Sequence, residues 1–115
     1  MATTTSAGKA AEAAVAEHLK KTGYEIIEMN WRRRVCEIDI VAKKDKVIYF
    51  TEVKYRSSDA QGSGLDYLTD KKLKQLEFAA QLWVAENNWP GDWRLLGAAV
   101  NSSKLNVEVE NIIEL

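Results

Sequence analysis

Two stretches, residues 35–42 and 47–55, alternate between apolar and polar side chains, with only the polar run Lys43-Lys44-Asp45-Lys46 between them. Alternation at period two puts successive side chains on opposite faces of a strand, and so short a polar break joins the two as a β-hairpin. A lone hairpin is marginal in water, so this feature commits the chain to a larger sheet with another layer packed on it. Residues 6–22 read as a helix, with Thr5 or Ser6 as cap and Gly23 as its stop. Residues 24–31 carry an apolar, β-branched pattern and read as a strand. Residues 56–64, rich in Ser, Gly, Asp and Gln, are expected to form a mobile loop. Thr69 then caps a long helix running to about Asn88, with Leu73, Leu76, Ala80, Trp83 and Val84 on one stripe, and Trp89-Pro90-Gly91-Asp92 breaks it. Residues 93–100 and 105–112 read as two further strands, joined across Asn101-Ser102-Ser103. The order α-β-β-β-α-β-β predicts an α/β sandwich whose long helix crosses the sheet.

With 115 residues the chain is expected to form one domain, residues 1–6 being a disordered tail. Hydrophobic residues at 46% and charged residues at 29% suit an ordinary globular protein. No apolar run approaches the roughly 20 residues that cross a bilayer, so no membrane partner is expected. Residues 1–6 have neither a basic start nor a hydrophobic stretch behind them, which speaks against secretion. The single cysteine, Cys36, excludes an internal disulfide and a thiolate zinc cluster, and the single histidine, His18, excludes any site needing two. A reducing, cytoplasmic location is expected. The 16 basic and 17 acidic side chains leave a net charge of −1, which argues against coating nucleic acid by bulk charge. Residues 31–60 nevertheless hold eight basic and five acidic side chains, a local +3. That excess fits either a basic face or a solvated charge pattern with no partner.

Chemistry is expected from carboxylates that stand where a structural residue would be apolar. On the first hairpin strand Cys36, Ile38, Ile40 and Ala42 are expected to share a core face, with Val35, Glu37, Asp39 and Val41 on the other. A turn centred on Lys44-Asp45 would set Glu37 opposite Glu52 and Asp39 opposite Phe50. Like charges facing each other across strands destabilise a sheet, so three clustered acids need a reason to be tolerated. A divalent cation is one, since magnesium takes oxygen ligands, often one or two carboxylates with waters and a substrate phosphate. Lys54, two residues beyond Glu52 on the same face, could orient an attacking water or offset phosphate charge. A solvent-facing strand with ordinary polar residues is the alternative. On the first helix, Glu12 falls on the stripe of Gly8, Val15 and Leu19, where an unpaired charge is costly. It reads either as a further ligand or as an edge residue paired with an arginine.

Asp39, followed on the next strand by Glu52-Val53-Lys54, resembles the PD-(D/E)xK nuclease superfamily, which includes archaeal Holliday junction resolvases and restriction enzymes. More closely, the chain resembles the YraN family of small bacterial endonuclease-like proteins, from about Gly8 to Asn111. The matching stretches are Gly8-x-x-Ala-Glu12, Gly23-Tyr24, Asn30-Trp31-Arg32, Glu37-Ile38-Asp39-Ile40 and Phe50-Thr51-Glu52-Val53-Lys54-Tyr55-Arg56, with Lys71 or Lys72, Leu76 and Ala79-Ala80 fitting a basic helix. Cys36 and Ala11 replace glycines of the family pattern, Arg94-Leu95-Leu96 stands for Arg-Phe-Asp, and Glu108 stands near the last strand in place of a histidine. The resemblance implies a restriction-endonuclease-like αβββαβ core, a mixed central sheet flanked by helices. It also implies a site of Glu12, Asp39, Glu52 and Lys54 using magnesium or manganese to cleave phosphodiesters.

Around that site, Arg32, Arg33, Arg56, Lys71 and Lys72 are the expected phosphate contacts, Lys71 and Lys72 opening a helix whose N-terminus itself favours an anion. Trp31 either stacks a base beside the arginines or packs at the strand end. His18 reads as a surface residue, Cys36 as core filling and Trp83 as core. Three functions stay open: a metal-dependent, structure-selective nuclease, with DNA a better candidate than RNA; a nuclease-like module that binds nucleic acid without cutting; and a protein-interaction domain. Cutting two strands symmetrically would favour a homodimer.

Overall fold

The computed structural model describes residues 6–57, 69–102 and 107–115, without the side chains of residues 56, 57 and 102. Its elements are α1 (Ser6–Lys21), β1 (Glu25–Arg32), β2 (Glu37–Lys44), β3 (Val47–Ser57), α2 (Asp70–Glu86), β4 (Trp93–Ser102) and β5 (Val107–Glu114). The expected order is therefore observed. One five-stranded sheet runs β1-β2-β3-β4-β5. All neighbours are antiparallel except β3 and β4, which are parallel. A parallel pair needs a long crossover, and α2 supplies it. The result is a mixed sheet flanked by helices, the αβββαβ core with one more strand.

Local chemistry sets the ends of the helices. Gly23 follows α1 with φ +99°, a left-handed value that costs glycine nothing. Thr69 is the N-cap of α2, its hydroxyl accepting the Lys72 N–H at 3.2 Å. Alternation along the strands then feeds two separate cores. Against α1 (Ala11, Val15, Ala16, Leu19) pack Ile40, Ala42, Leu96, Ala98 and Val100. Against α2 (Leu76, Ala79, Ala80, Trp83) pack Trp31, Ile38, Val41, Ile48 and Phe50. Phe50 is fully buried, with Trp83 and Trp93 edge-on to it at 5.5 and 5.8 Å between ring centres. Trp83 is core, as expected.

The structure corrects two expectations about the hairpin. The register is Lys44↔Val47 through Ile40↔Thr51, so the turn is Asp45-Lys46. Both turn residues have positive φ, 52° and 68°, as a two-residue turn matched to strand twist requires. The slip from the expected register is two residues, which leaves each side chain on its own face. It removes the expected pairings of Glu37 with Glu52 and of Asp39 with Phe50. The second correction concerns faces: Ile38 packs towards α2 and Ile40 towards α1, so the anticipated single core face of β2 breaks at Asp39. Ser6 already belongs to α1, whereas residues 1–5 of the expected tail lie outside the described residues. So do the expected loop from residue 58 onward and the expected start of the last strand at Leu105.

Candidate functional site

The break at Asp39 is where the site forms. In place of a ladder carbonyl, the Asp39 carboxylate accepts the Val53 N–H through Oδ2 at 2.7 Å. On the neighbouring strand, Met29 pairs with Ile40 and Trp31 with Ile38, and between them Asn30 has φ 53°. A left-handed residue inside a strand is costly for anything but glycine, and asparagine tolerates it best among the others. Strand β1 breaks its alternation there as well: Glu28, which accepts the Trp83 indole N–H, and Trp31 both face α2 although they stand three residues apart. An irregularity of this kind re-aims side chains and ends regular pairing. Here the Asn30 side chain is brought into hydrogen bonding with Glu12 of α1.

Four acids meet electrostatically at this point. Burial is the main cause raising the Asp39 carboxyl to about 7; the charges of Glu52, Glu12 and Glu37 push the same way, against the Val53 N–H. Glu52 is also raised, first by burial and then by Glu37 and Glu12, with Lys72 and Lys54 opposing. Glu12, only 8% exposed, is raised by burial and by Glu37, with the Asn30 hydrogen bond and Arg32 opposing. Its Oε1 is buried and has no hydrogen-bond partner among the described residues. Glu37 is more exposed and pairs with Arg32 at 3.3 Å. At Glu12, Asp39 and Glu52 burial and mutual repulsion thus outweigh the groups that favour their charge.

Beside the acids lies a groove of about 900 Å³ between the β1–β2 connection and the first half of α2. Arg32, Arg33 and Arg34 line one wall, Lys71, Lys72 and Lys74 the other, and Glu37 and Glu52 also face it. Six cations against two carboxylates make the groove basic, although the chain as a whole carries −1. The arginines are not equivalent. Arg33 is held by both oxygens of Glu86, at 2.9 and 3.0 Å from Nε, and its guanidinium lies 4.5 Å from the Trp31 ring centre. That commitment leaves Arg33 as part of the wall, and Trp31, 2% exposed, packs in the core instead of offering a face to a base. Lys54 is exposed and within electrostatic reach of Glu52. The Arg56 side chain lies outside the described residues. Cys36 is only partly buried, fringing the α2 core and touching the groove.

The structure therefore brings Glu12, Asp39, Glu52, Arg32, Lys54 and Lys72 into one electrostatic neighbourhood, and adds two residues to which the sequence reading gave no role. Asn30 is one; its signal was an asparagine, tolerant of left-handed φ, interrupting an apolar strand. Phe78, 53% exposed on the groove, is the other. The donor set suits a hard divalent cation: buried Glu12 and half-buried Asp39 and Glu52, all oxygen, one with an unsatisfied Oε1. Among the described residues no three acidic, histidine or cysteine side chains gather closely enough to cage an ion alone. Magnesium binding through one or two carboxylates, with water and phosphate completing the shell, is compatible with that spacing.

A family model described as Uncharacterised protein family UPF0102 matches residues 11–106, a span holding Glu12, Asp39, Glu52 and Lys54. A UPF0102 protein of Sulfurihydrogenibium sp. is 35% identical over 112 residues, covering 96% of this chain and 96% of its own. Its counterpart in Christiangramia forsetii is 32% identical over 105 residues, covering 91% and 88%. One from Parafrankia sp. is 41% identical over 83 residues, covering 72% and 70%. The chain belongs to the UPF0102 family, the YraN-type, nuclease-like family that its motifs resemble.

Proposed function

We propose that this protein is a metal-dependent nuclease that hydrolyses phosphodiester bonds of nucleic acid, DNA in preference to RNA, in the cytoplasm. The observation that carries the reading is the mutual electrostatic coupling of Glu12, Glu37, Asp39 and Glu52 around a break in the sheet, next to a groove walled by arginines and lysines. Buried like charges raise one another's cost, and a divalent cation with a phosphate beside it is the partner that would offset it. Asp39 and Glu52 would hold magnesium or manganese, with Glu12 steadied by Asn30 as a further oxygen donor. The ion would supply Lewis acidity towards the phosphoryl group.

The chain's own residues do the remaining work. Lys72 and Lys54 lie close enough to Glu52 to lower the cost of its charge, and either can offset charge that develops on phosphate. Lys54, on the solvent side, is the better placed to orient an attacking water. Arg32, Lys71 and Lys72 contact the backbone along the groove, Arg32 also holding Glu37 beside the acids. Symmetric cutting of a duplex would call for a second copy of the chain.

The test is cleavage of single-stranded, nicked and branched DNA with magnesium or manganese. Wild type is expected to cut at least one of them, and Asp39→Ala to lower the rate about a hundredfold or more. Binding in EDTA that weakens steeply with salt, with no cleavage in either metal, would leave a nucleic-acid-binding module. No binding at low salt would leave a protein-interaction domain.

A further inference from the structure

Beyond the acids, the groove wall made by α2 has a composition that the bond-breaking chemistry does not require. Lys71, Lys74, Gln75 and Phe78 follow one another at i, i+3, i+4 and i+7, so they form a single stripe, and all four line the groove. The core stripe of the same helix is separate: Leu76, Ala79, Ala80 and Trp83. Phe78 is 53% exposed, and across the groove Val35 is 72% exposed beside Arg34. Helix α2 does not bury Phe78 in its core, so this ring is on offer at the far end of a row of cations.

We infer that the groove seats one unpaired strand of nucleic acid, its phosphates along Lys71, Lys74 and Arg34 and a base stacked on Phe78. A basic groove with an exposed ring is the means by which single strands are held without reading their sequence, because every base has a face to stack. A duplex keeps its base faces stacked on one another and offers only their edges and the backbone, which would leave Phe78 with no face to stack on. Length agrees. Lys71 to Phe78 spans about 11 Å at 1.5 Å per residue, room for more than one nucleotide of an unpaired strand. Lys72, at the start of this wall, is also the cation nearest in effect to Glu52. A strand laid along the stripe thus passes the acids at the opposite end from the base on Phe78. This rests on the nuclease reading for its meaning, and it narrows the substrate to nucleic acid with a single-stranded arm or gap.

Affinity is measured in EDTA, by fluorescence anisotropy, for labelled oligothymidylate and for a duplex of equal length. The strand is expected to bind about tenfold more tightly than the duplex, and Phe78→Ala to weaken strand binding about tenfold. The double variant Lys71→Glu, Lys74→Glu should weaken it further and flatten its salt dependence. Equal or tighter duplex binding, or strand affinity untouched by Phe78→Ala, overturns the inference. Phe78 is exposed, and the circular dichroism spectrum of the variant checks that it folds. Because binding is read without metal, a protein that never cleaves sinks the nuclease reading and leaves this result standing. Duplex cleavage at a rate indifferent to Phe78→Ala does the reverse.

Discussion

The hairpin of β2 and β3 has two ends that obey different rules. At the turn end, from Lys44↔Val47 to Ile40↔Thr51, pairing is regular, and Val41, Ile48 and Phe50 bury against α2 while Ala42 buries against α1. At the open end, Asp39 bonds the backbone with its side chain, neighbouring Asn30 is left-handed, and carboxylates replace hydrocarbon. The first end stabilises the sheet; the second uses that stability to hold groups that repel one another. A half-buried acid raised as far as Asp39 is a cost that persists only where the surrounding fold enforces it.

The sharpest way to break this contrast is at the regular end. Phe50→Ala should lower stability by about 3–5 kcal/mol, since it opens a cavity under Trp83 and Trp93. Urea unfolding measures it, and a loss below about 1 kcal/mol would mean that the turn end is not the stabilising half.

At the open end the same assay should move the opposite way. The folded-state carboxyl of Asp39 sits near 7 against an ordinary 3.8, so between those values the folded protein holds a proton that the unfolded chain releases. Stability contributed at this position is therefore greatest at low pH and falls as pH rises through about 4 to 7. Asp39→Asn cannot titrate, and its amide oxygen can still accept the Val53 N–H. Without metal it should be more stable than wild type by about 2 kcal/mol at pH 8, and the gain should vanish by about pH 4. A pH-independent difference would show that Asp39 is not held against its own charge.

The smallest expected effect lies in the turn. Lys46 has φ 68°, a value that glycine adopts freely, so Lys46→Gly should add about 0.5–1 kcal/mol and leave cleavage unchanged. A loss of activity in that variant would tie the two ends together more closely than their packing suggests.

Most of the regular half was legible in the residues. Period-two alternation located the strands, Thr69 and Gly23 marked helix ends, and Leu76, Ala80 and Trp83 marked the core of α2. The turn is hard to place from sequence because Lys46 does not advertise positive φ as the glycine of Asp-Gly would. The error was two residues, an even number, so the inference that the acids share a region survived it. The irregular half was legible in composition but not in geometry. Glu12, Asp39 and Glu52 stood out as charges among apolar neighbours, yet alternation gave no sign that β2 changes face at Asp39, because a side-chain bond to Val53 replaces a backbone one. Nor did it disclose that Arg33 would be taken up by Glu86, which comes from a helix more than fifty residues away in sequence.

The central claim is that the repelling acids at the open end share one divalent cation, and calorimetric titration of metal-free protein with manganese at pH 8 tests it most directly. Wild type should show a single saturable site, weakened about tenfold or more by Glu12→Gln and abolished by Asp39→Asn or Glu52→Gln. Manganese heats no different from dilution in the wild-type protein, or an isotherm that Asp39→Asn leaves unchanged, would contradict it.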